Sequence, residues 1–371
     1  MEEIDSGRHD YSTVPGIYYR DKDGSVKKTE RSGFPGFYDV DYSLLPESTR
    51  NTFSEYVQVL TGRGCSFKCT FCYNSVIEQK HIARPAEEMA DEMQKLVDQF
   101  NPEVIYFRDE NFFQDRKRAR DWIRVYKERG FKFRWKVTCR ANYVSDNYIN
   151  DDFLKQMEEI NCDTLKMGLE TGSTRMLNYL KKGMTLKGIQ HAVAKVASSK
   201  TIKGNYSFIV GMPTETTEEY VDTLQLIKYI LKHEPSATIL GPQYFRIYPG
   251  GTLYNETVEK FNFKKPQSFE EWAQMTIPSN DIFGLYKTAK YPWITNKHKA
   301  LAFYVASLVL LYKRPFSFFF VHPRRWPAIP FVAMAKLRMK LNWYGCLWDV
   351  QLFEKLYDTA KKIHYAKPTE A

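Results

Sequence analysis

The strongest constraint on the fold is a regular alternation of short apolar runs and amphipathic segments between residues 56 and 248. Runs rich in β-branched and aromatic residues, such as residues 104–107, are typical of buried strands. Between them, apolar residues recur at intervals of three and four, as in residues 86–100, which is typical of helices. Six such units, at a spacing of about 30–40 residues, predict βαβ repeats and a parallel sheet. The predicted strands are 56–61, 104–107, 133–139, 164–169, 205–210 and 237–248.

An α/β chain of this kind folds either as a doubly wound sheet or as a partial (β/α)6 TIM-like barrel. In both folds, ligands bind at the carboxyl ends of the strands. The alternation stops after residue 252, and the aromatic-rich sequence beyond it favours helices. We therefore predict three parts: an N-terminal connector (1–50) with a hairpin turn at Asp23-Gly24, a core barrel (51–260), and a mostly helical, basic and aromatic C-terminal subdomain (261–371).

The last quarter of the chain accounts for the whole net charge of +10, because residues 285–371 contain 15 Lys and Arg against 4 Asp and Glu. Residues 297–340 combine basic with large apolar side chains. This composition fits a helical lid, an interfacial helix on an anionic membrane, or a nucleic-acid site. We favour the lid, then peripheral membrane contact, and nucleic acid least. Because the chain has no run of about 18 apolar residues and no signal peptide, we expect a cytoplasmic protein.

Three of the six cysteines lie close together after the first predicted strand, in the spacing Cys65-x3-Cys69-x2-Cys72. A disulfide framework would spread its cysteines, so this distribution indicates a reduced compartment and a metal or cluster site. Three thiolates this close can bind three irons of one cubane and leave the fourth iron open to another ligand. The alternatives are a zinc site completed by His81, or three unrelated thiols. Structural zinc typically uses paired C-x2-C units and four protein ligands.

The remaining cysteines are scattered and offer no compact pair for a second cluster. Cys139 ends the third predicted strand, so we expect it to point into the barrel. Cys162 and Cys346 are expected to be small buried hydrophobic residues.

With Phe71 between the second and third cysteine, the spacing C-x3-C-x-aromatic-C resembles the signature of the radical S-adenosylmethionine (SAM) superfamily. Further motifs resemble the radical SAM part of its cobalamin-binding subgroup, which includes methyltransferases and the anaerobic Mg-protoporphyrin ester cyclase. The resemblance covers residues 51–256. The motifs are TGRGC (61–65), FRDENF (107–112), GLETGS (168–173), GMPTET (211–216) and YPGGT (248–252).

This resemblance implies a [4Fe–4S] cluster held by Cys65, Cys69 and Cys72, with SAM on the open iron. It also implies that the reduced cluster cleaves SAM and so produces a 5′-deoxyadenosyl radical, which abstracts hydrogen from a substrate. The electrons are expected from a partner such as ferredoxin or flavodoxin, because the chain has no flavin motif and no second cluster motif.

Five residues at predicted strand ends, together with Phe71 beside the cluster, are the candidate SAM contacts. Asp109 or Glu110 could accept hydrogen bonds from the SAM ammonium, or could cap the next helix. Arg140 could pair with the SAM carboxylate, or form a structural ion pair. Glu170 could accept from the ribose hydroxyls. Gly211 resembles part of the loop near adenine, or is a turn residue.

The role of Glu170 is favoured here by its neighbours. Gly168 and Gly172 lie on either side of it, and glycines leave backbone room for a ligand.

Members of the resembled subgroup carry an N-terminal cobalamin-binding domain with a D-x-H-x-x-G motif. About 50 residues precede the barrel here and that motif is missing, so we expect this domain to be absent and cobalamin to serve only if its binding domain is supplied elsewhere. The sequence thus predicts a radical SAM enzyme, methyltransferase or cyclase, acting on an unidentified substrate such as a lipid or tetrapyrrole. The alternative is a non-catalytic cluster- or zinc-binding module that recruits a membrane or nucleic-acid partner.

Overall fold

The computed structural model describes residues 10–30, 40–77, 80–274, 291–295, 297–298, 301, 326, 329–343, 348–349, 352 and 355–356. The predictions for a lid or membrane contact at 297–340 and for a buried Cys346 fall largely or wholly outside these residues. The chain divides into two compact units, Met1–Pro46 and Glu47–Ala371. The predicted boundaries at residues 50 and 260 stay predictions.

The first unit contains the hairpin expected from the Asp23-Gly24 turn. Strands β1 (Tyr18–Arg20) and β2 (Val26–Lys28) pair antiparallel. Gly24 has a φ of +81°, a conformation that glycine adopts without strain. A short 3-10 helix, Tyr42–Leu44, completes the described part of this unit.

The second unit contains six parallel strands that curl into a half-barrel, as the repeating units predicted, and a separate antiparallel pair. The strands are β3 (Tyr56–Val59), β4 (Gly62–Arg63), β5 (Ile82–Ala83), β6 (Val104–Phe107), β7 (Arg134–Cys139), β8 (Cys162–Glu170), β9 (Lys203–Val210) and β10 (Thr238–Tyr244). The order in the half-barrel is β10-β9-β8-β7-β6-β3, and the pair β4-β5 flanks the cysteine segment.

Helices follow the strands at nearly the predicted positions, because side-chain caps fix where most of them begin. Asp115, for example, accepts a hydrogen bond from the Arg118 backbone N–H, and Thr216 with Glu219 forms a capping box. The described α-helices are α1 (Glu47–Arg50), α2 (Asn74–Ile77), α3 (Ala86–Phe100), α4 (Arg116–Glu128), α5 (Asp151–Glu159), α6 (Thr174–Tyr179), α7 (Leu186–Ser198), α8 (Thr217–His233), α9 (Thr252–Lys260), α10 (Phe269–Gln274) and α11 (Ile329–Leu341).

Two predicted strands are shorter than expected. The first was predicted to reach Thr61 but ends at Val59, because the Thr61 backbone N–H donates to the Asp109 carboxylate instead of a neighbouring strand. The last was predicted to reach Tyr248 and ends at Tyr244.

One face of the sheet is covered by the helices and forms the core. Trp122 of α4 packs against Phe107 and Trp135 with ring centroids 5.3 and 6.4 Å apart. The Tyr206 hydroxyl reaches Glu234 just after α8 at 2.6 Å. We call this the helix-covered face; its buried residues are Val57, Val59, Ile105, Phe107, Trp135, Val137, Leu165, Met167, Tyr206, Phe208 and Val210.

The opposite face carries polar and aromatic residues at the alternate strand positions. Because it curves away from the helices, we call it the open face. Its residues are Tyr56, Tyr106, Lys136, Thr138, Lys166, Asn205 and Ser207.

Candidate active site

The cysteine segment lies between β4 and α2 and is held by backbone hydrogen bonds to distant parts of the chain. The Thr70 N–H donates to the Leu180 carbonyl at 3.1 Å, and the Thr70 hydroxyl to the Tyr179 carbonyl at 3.3 Å. The Thr70 carbonyl accepts from the Leu253 N–H at 3.3 Å. These contacts fix the segment across the carboxyl ends of the strands.

Cys65, Cys69 and Cys72 line one cavity of about 240 Å³ at this end of the half-barrel. The structure therefore brings together most of the site residues that the sequence singled out, and it adds others from β7, β8 and β9. The remaining lining residues are Phe67, Phe71, Asn74, Glu110, Thr138, Cys139, Arg140, Lys166, Gly168, Glu170, Lys182 and Ser207.

Hydrogen-bond donors face two of the three sulfurs. Asn111 Nδ2 lies 3.5 Å from Cys65 Sγ, and Arg140 Nη1 lies 3.8 Å from Cys69 Sγ. Burial raises the pKa of the Cys72 thiol, while the Lys182 charge acts in the opposite direction. Donors to ligand sulfurs also tune cluster potentials.

Among the residues the structure describes, no three His, Cys, Asp or Glu side chains converge on a single metal ion. A cubane binds each cysteine at a different iron, so its three thiolates need not converge on one point. The donor set of Cys65, Cys69 and Cys72, with its hydrogen-bond donors, fits such a cluster.

Arg140 lines this cavity. Its guanidinium stacks 3.5 Å from the Phe67 ring centroid, donates to the Lys182 carbonyl, and reaches Asn142 Oδ1 at 3.2 Å. Within the described residues it forms no salt bridge, so the structural ion pair considered for it is not found there. The charge of Arg140 is thus available to the cavity.

Glu170 ends β8 with a φ of +67°, and its carboxylate pairs with Lys182 at 3.1 Å. Both side chains are buried, at 8% and 7% exposure. The Lys182 ammonium also lies 5.7 Å from the centroid of the Phe71 ring. Sequence reasoning missed Lys182, and its only signal was a pair of lysines following α6.

The reason given for the role of Glu170 was wrong. A Cβ on Gly168 would lie 2.2 Å from Glu170 Oε1, and one on Gly172 would lie 2.3 Å from the Asp222 carbonyl oxygen. The glycines therefore make room for this chain's own Glu170 side chain and for α8, rather than for a ligand.

The two adjacent acids after β6 have different surroundings. The Asp109 carboxylate is buried, 3.1 Å from the Arg118 guanidinium and 2.7 Å from the Thr61 N–H, and Asp109 does not line the cavity. Glu110 lines it and accepts the Gly64 N–H at 3.0 Å. The alternative role of these acids, capping the next helix, is not found, because Asp115 caps α4.

Gly211 follows β9 and adopts a φ of +79°. A Cβ there would lie 2.7 Å from Tyr244 Cδ1, and the Trp293 indole donates to the Gly211 carbonyl at 2.9 Å. Glu215 accepts its N–H at 2.7 Å, and burial raises the pKa of Glu215 to about 8. Gly211 is thus a turn residue that only glycine fits, and it is not part of the cavity lining.

Two of the remaining cysteines are described: Cys162 is buried as expected, and Cys139, expected to point into the barrel, is buried at the cavity wall. Cys139 lines the cavity with 2% exposure, and Cys162 is 1% exposed at the start of β8. Burial raises the pKa of both thiols, so they are protonated at neutral pH.

Comparison with known families identifies the domain. The model of the radical SAM superfamily matches residues 59–227. Residues 59–227 form a radical SAM domain. The superfamily predicted from the cysteine spacing is therefore confirmed, and with it the expectation of an enzyme, while the reaction type is left open. The family implies a [4Fe–4S] cluster and SAM.

Relatives point to the same group of radical SAM proteins. An uncharacterized methyltransferase of Pyrococcus horikoshii is 30% identical over 219 residues, which are 58% of this chain and 45% of that protein. The anaerobic magnesium-protoporphyrin IX monomethyl ester cyclase of Rubrivivax gelatinosus is 23% identical over 280 residues, 71% of this chain and 48% of that protein. The chain thus spans about half the length of these relatives.

The fold is similar to that of the cobalamin-dependent SAM radical enzyme OxsB, whose structure contains aqua-cobalamin and SAM. The TM-score is 0.59 at 15% identity, over 97% of this chain and 57% of that one. This likeness supports the partial barrel. In the described part of the chain, no helix is both long and apolar enough to cross a bilayer.

Proposed function

We propose that this chain reductively cleaves SAM at a [4Fe–4S] cluster and directs the radical to an organic substrate. The observation that carries this proposal is the single cavity lined by Cys65, Cys69 and Cys72 within a radical SAM domain. When bound, such a cluster would supply one electron to break a C–S bond of SAM, which would give methionine and a 5′-deoxyadenosyl radical able to abstract a hydrogen atom from the substrate. The non-catalytic binding module is not favoured.

The side chains around the cavity suit the functional groups of SAM. We assign Glu110 to the ammonium and Arg140 to the carboxylate, because both make charge-assisted hydrogen bonds. Glu170 is assigned to the ribose hydroxyls, with Lys182 holding its carboxylate in place. Phe71 lines the same cavity as the three cysteines. The Gly211 turn is assigned to the adenine ring of SAM. Asp109 has no part in this assignment, because Arg118 occupies its carboxylate.

The relatives support methyl transfer or oxidative cyclisation as the reaction class, on a substrate such as a lipid or tetrapyrrole. The electron donor is proposed to be ferredoxin or flavodoxin. Methylation through cobalamin is one form of this reaction class, and a tight, saturable spectral change on adding hydroxocobalamin would support it. For residues 297–340, a lid stays the preferred interpretation, and peripheral membrane contact of a cytoplasmic enzyme comes second.

Anaerobic reconstitution with iron and sulfide tests the central proposal. We expect about four irons per chain and 5′-deoxyadenosine after adding SAM and dithionite. Cys65→Ala should lose both, because it removes a cavity thiol. Cys162→Ala is the matched control, since this buried cysteine lies outside the cavity, and it should retain both. One zinc per chain, or a full cluster that never cleaves SAM, would contradict the proposal and support the binding module.

A further inference from the structure

The open face carries cations that continue from the cysteine cavity into the half-barrel. Thr138, Lys166 and Ser207 line that cavity. Thr138 is in register with Lys166, and Tyr106 with Lys136, so all four side chains project from the same face. Lys136 therefore lies on the open face, two residues further into the half-barrel than Thr138.

These cations lie over aromatic rings rather than beside acids. The Lys136 ammonium is 5.9 Å from the Tyr56 ring centroid, and the Lys166 ammonium is 5.6 Å from that of Tyr106. The Arg108 guanidinium lies 5.1 Å from the Tyr106 ring. Such contacts place a positive charge without neutralising it.

Neighbouring cations, by contrast, have carboxylate partners. Arg134 on the same strand as Lys136 pairs with Asp163 at 2.9 Å, and Lys182 pairs with Glu170. Within the described ranges, Lys136 and Lys166 form no salt bridge. Both are only partly exposed, so they are not freely solvated surface lysines. The two ammonium groups therefore carry positive charge that no described carboxylate pairs with.

A second observation points to a missing ligand at the same place. Asn205 is in register with Lys166, and its Oδ1 is buried without a hydrogen-bond partner in the described structure. Buried polar atoms are rarely left unsatisfied. Since an amide offers both a donor and an acceptor and its orientation is an assignment, Asn205 can bind a polar group beside Lys166.

We propose that the substrate carries an anionic group, a phosphate or a carboxylate, which Lys136 and Lys166 bind on the open face. This inference rests on the proposed function, because it takes the half-barrel as the substrate site. The rings of Tyr56 and Tyr106 provide the apolar floor, and the two ammonium groups donate charge-assisted hydrogen bonds to the anion. Lys166 also lines the cysteine cavity, so this places the bound anion next to the cluster site.

Protection of lysines from acetylation tests the site in the full, reconstituted chain saturated with SAM. The probes are phenyl phosphate, benzoate and neutral benzamide. We expect phenyl phosphate, benzoate or both to slow acetylation of Lys136 and Lys166, read by peptide mass spectrometry, while exposed Lys187 and Lys232 stay unchanged. Protection by phenyl phosphate alone indicates a phosphate, and protection by benzoate indicates a carboxylate. Equal protection by benzamide, or no protection, overturns the inference.

Charge-matched double variants separate the site from a general effect of charge. K136Q with K166Q should weaken probe binding, followed by equilibrium dialysis, by at least about tenfold, as expected for lost hydrogen bonds to a charged group. K187Q with K232Q removes the same charge from the outer helices and should leave binding unchanged. Equal weakening in both would overturn the inference.

Three further results distinguish the inference from the proposed function. If probe protection appears only without SAM, the lysines serve the SAM carboxylate and the inference fails. SAM cleavage without any anion protection overturns the inference and leaves the proposed function standing. Anion protection in a protein that never cleaves SAM supports the anion site and contradicts the proposed function.

Discussion

The two faces of the central sheet have opposite character, although alternate residues of the same strands form them. In β7, Trp135 and Val137 are 1% and 0% exposed on the helix-covered face. Their neighbours Lys136 and Thr138 lie partly exposed on the open face. The barrels of closed TIM folds are filled by packed side chains, whereas this half-barrel keeps a polar interior. The helix-covered face therefore supplies the packed core, and the open face supplies the polar side chains of the candidate site.

The largest expected loss of stability is at the buried ion pair of Lys182 and Glu170, beside the open face. Lys182→Met leaves the Glu170 carboxylate buried without its partner. We expect the free energy of unfolding to fall by about 3–5 kcal/mol, as when one partner of a buried ion pair is removed. Urea denaturation under anaerobic conditions measures it. The exposed neighbour Lys181→Met is the control and should change stability by less than about 0.5 kcal/mol. A similarly small change for Lys182→Met would show that water in the cavity solvates Glu170.

Adjacent residues of β8 provide a direct comparison of the two faces. Leu165 is fully buried on the helix-covered face, so Leu165→Ala should lower the free energy of unfolding by about 2–5 kcal/mol. Lys166→Ala, on the open face, should change it by less than about 0.5 kcal/mol. Both are measured by denaturant unfolding. If the two substitutions had equal effects, the division of roles between the faces would be wrong.

An effect that is small per pH unit is expected at Glu215, which lies on neither face. Burial raises its pKa from 4.5 to about 8, so the folded state holds the proton longer than the unfolded state does. Its contribution to stability is present below pH 4.5 and is lost as the pH rises through about 8. We expect unfolding free energy to fall by about 1 kcal/mol per pH unit between pH 5 and pH 8.

Glu215→Gln is the test of that pH dependence. The amide oxygen can accept the N–H groups of Gly211 and Met212, which both donate to one carboxylate oxygen in the structure. The variant should therefore fold and lose the slope. An unchanged slope would assign it to another group.

Much of the fold could be predicted, because the alternation of strand and helix is local in the sequence. A different alternation, of polar and apolar residues in 134–139 (Arg-Trp-Lys-Val-Thr-Cys), marks a strand with one polar face. That pattern is enough to predict that Lys136 and Thr138 lie together on the polar face.

The surroundings of the acids could not be predicted, because they depend on side chains that the fold brings together. Nothing local distinguishes Asp109 from Glu110. Only the first turn of α4 brings Arg118 to Asp109, and only the fold of the cysteine segment brings Gly64 to Glu110. For the same reason, the buried partner of Glu170 was missed.

The contacts of Thr70 also have a consequence for the order of events during synthesis. The cysteine segment is tied to a carbonyl 109 residues later in the chain and to Leu253 beyond it. A growing chain exposes Cys65, Cys69 and Cys72 long before those partners leave the ribosome, since domains fold only when their parts are available. We therefore expect the three thiols to reach their final arrangement only after these later segments have been synthesised. Assembly of an intact site follows completion of the half-barrel.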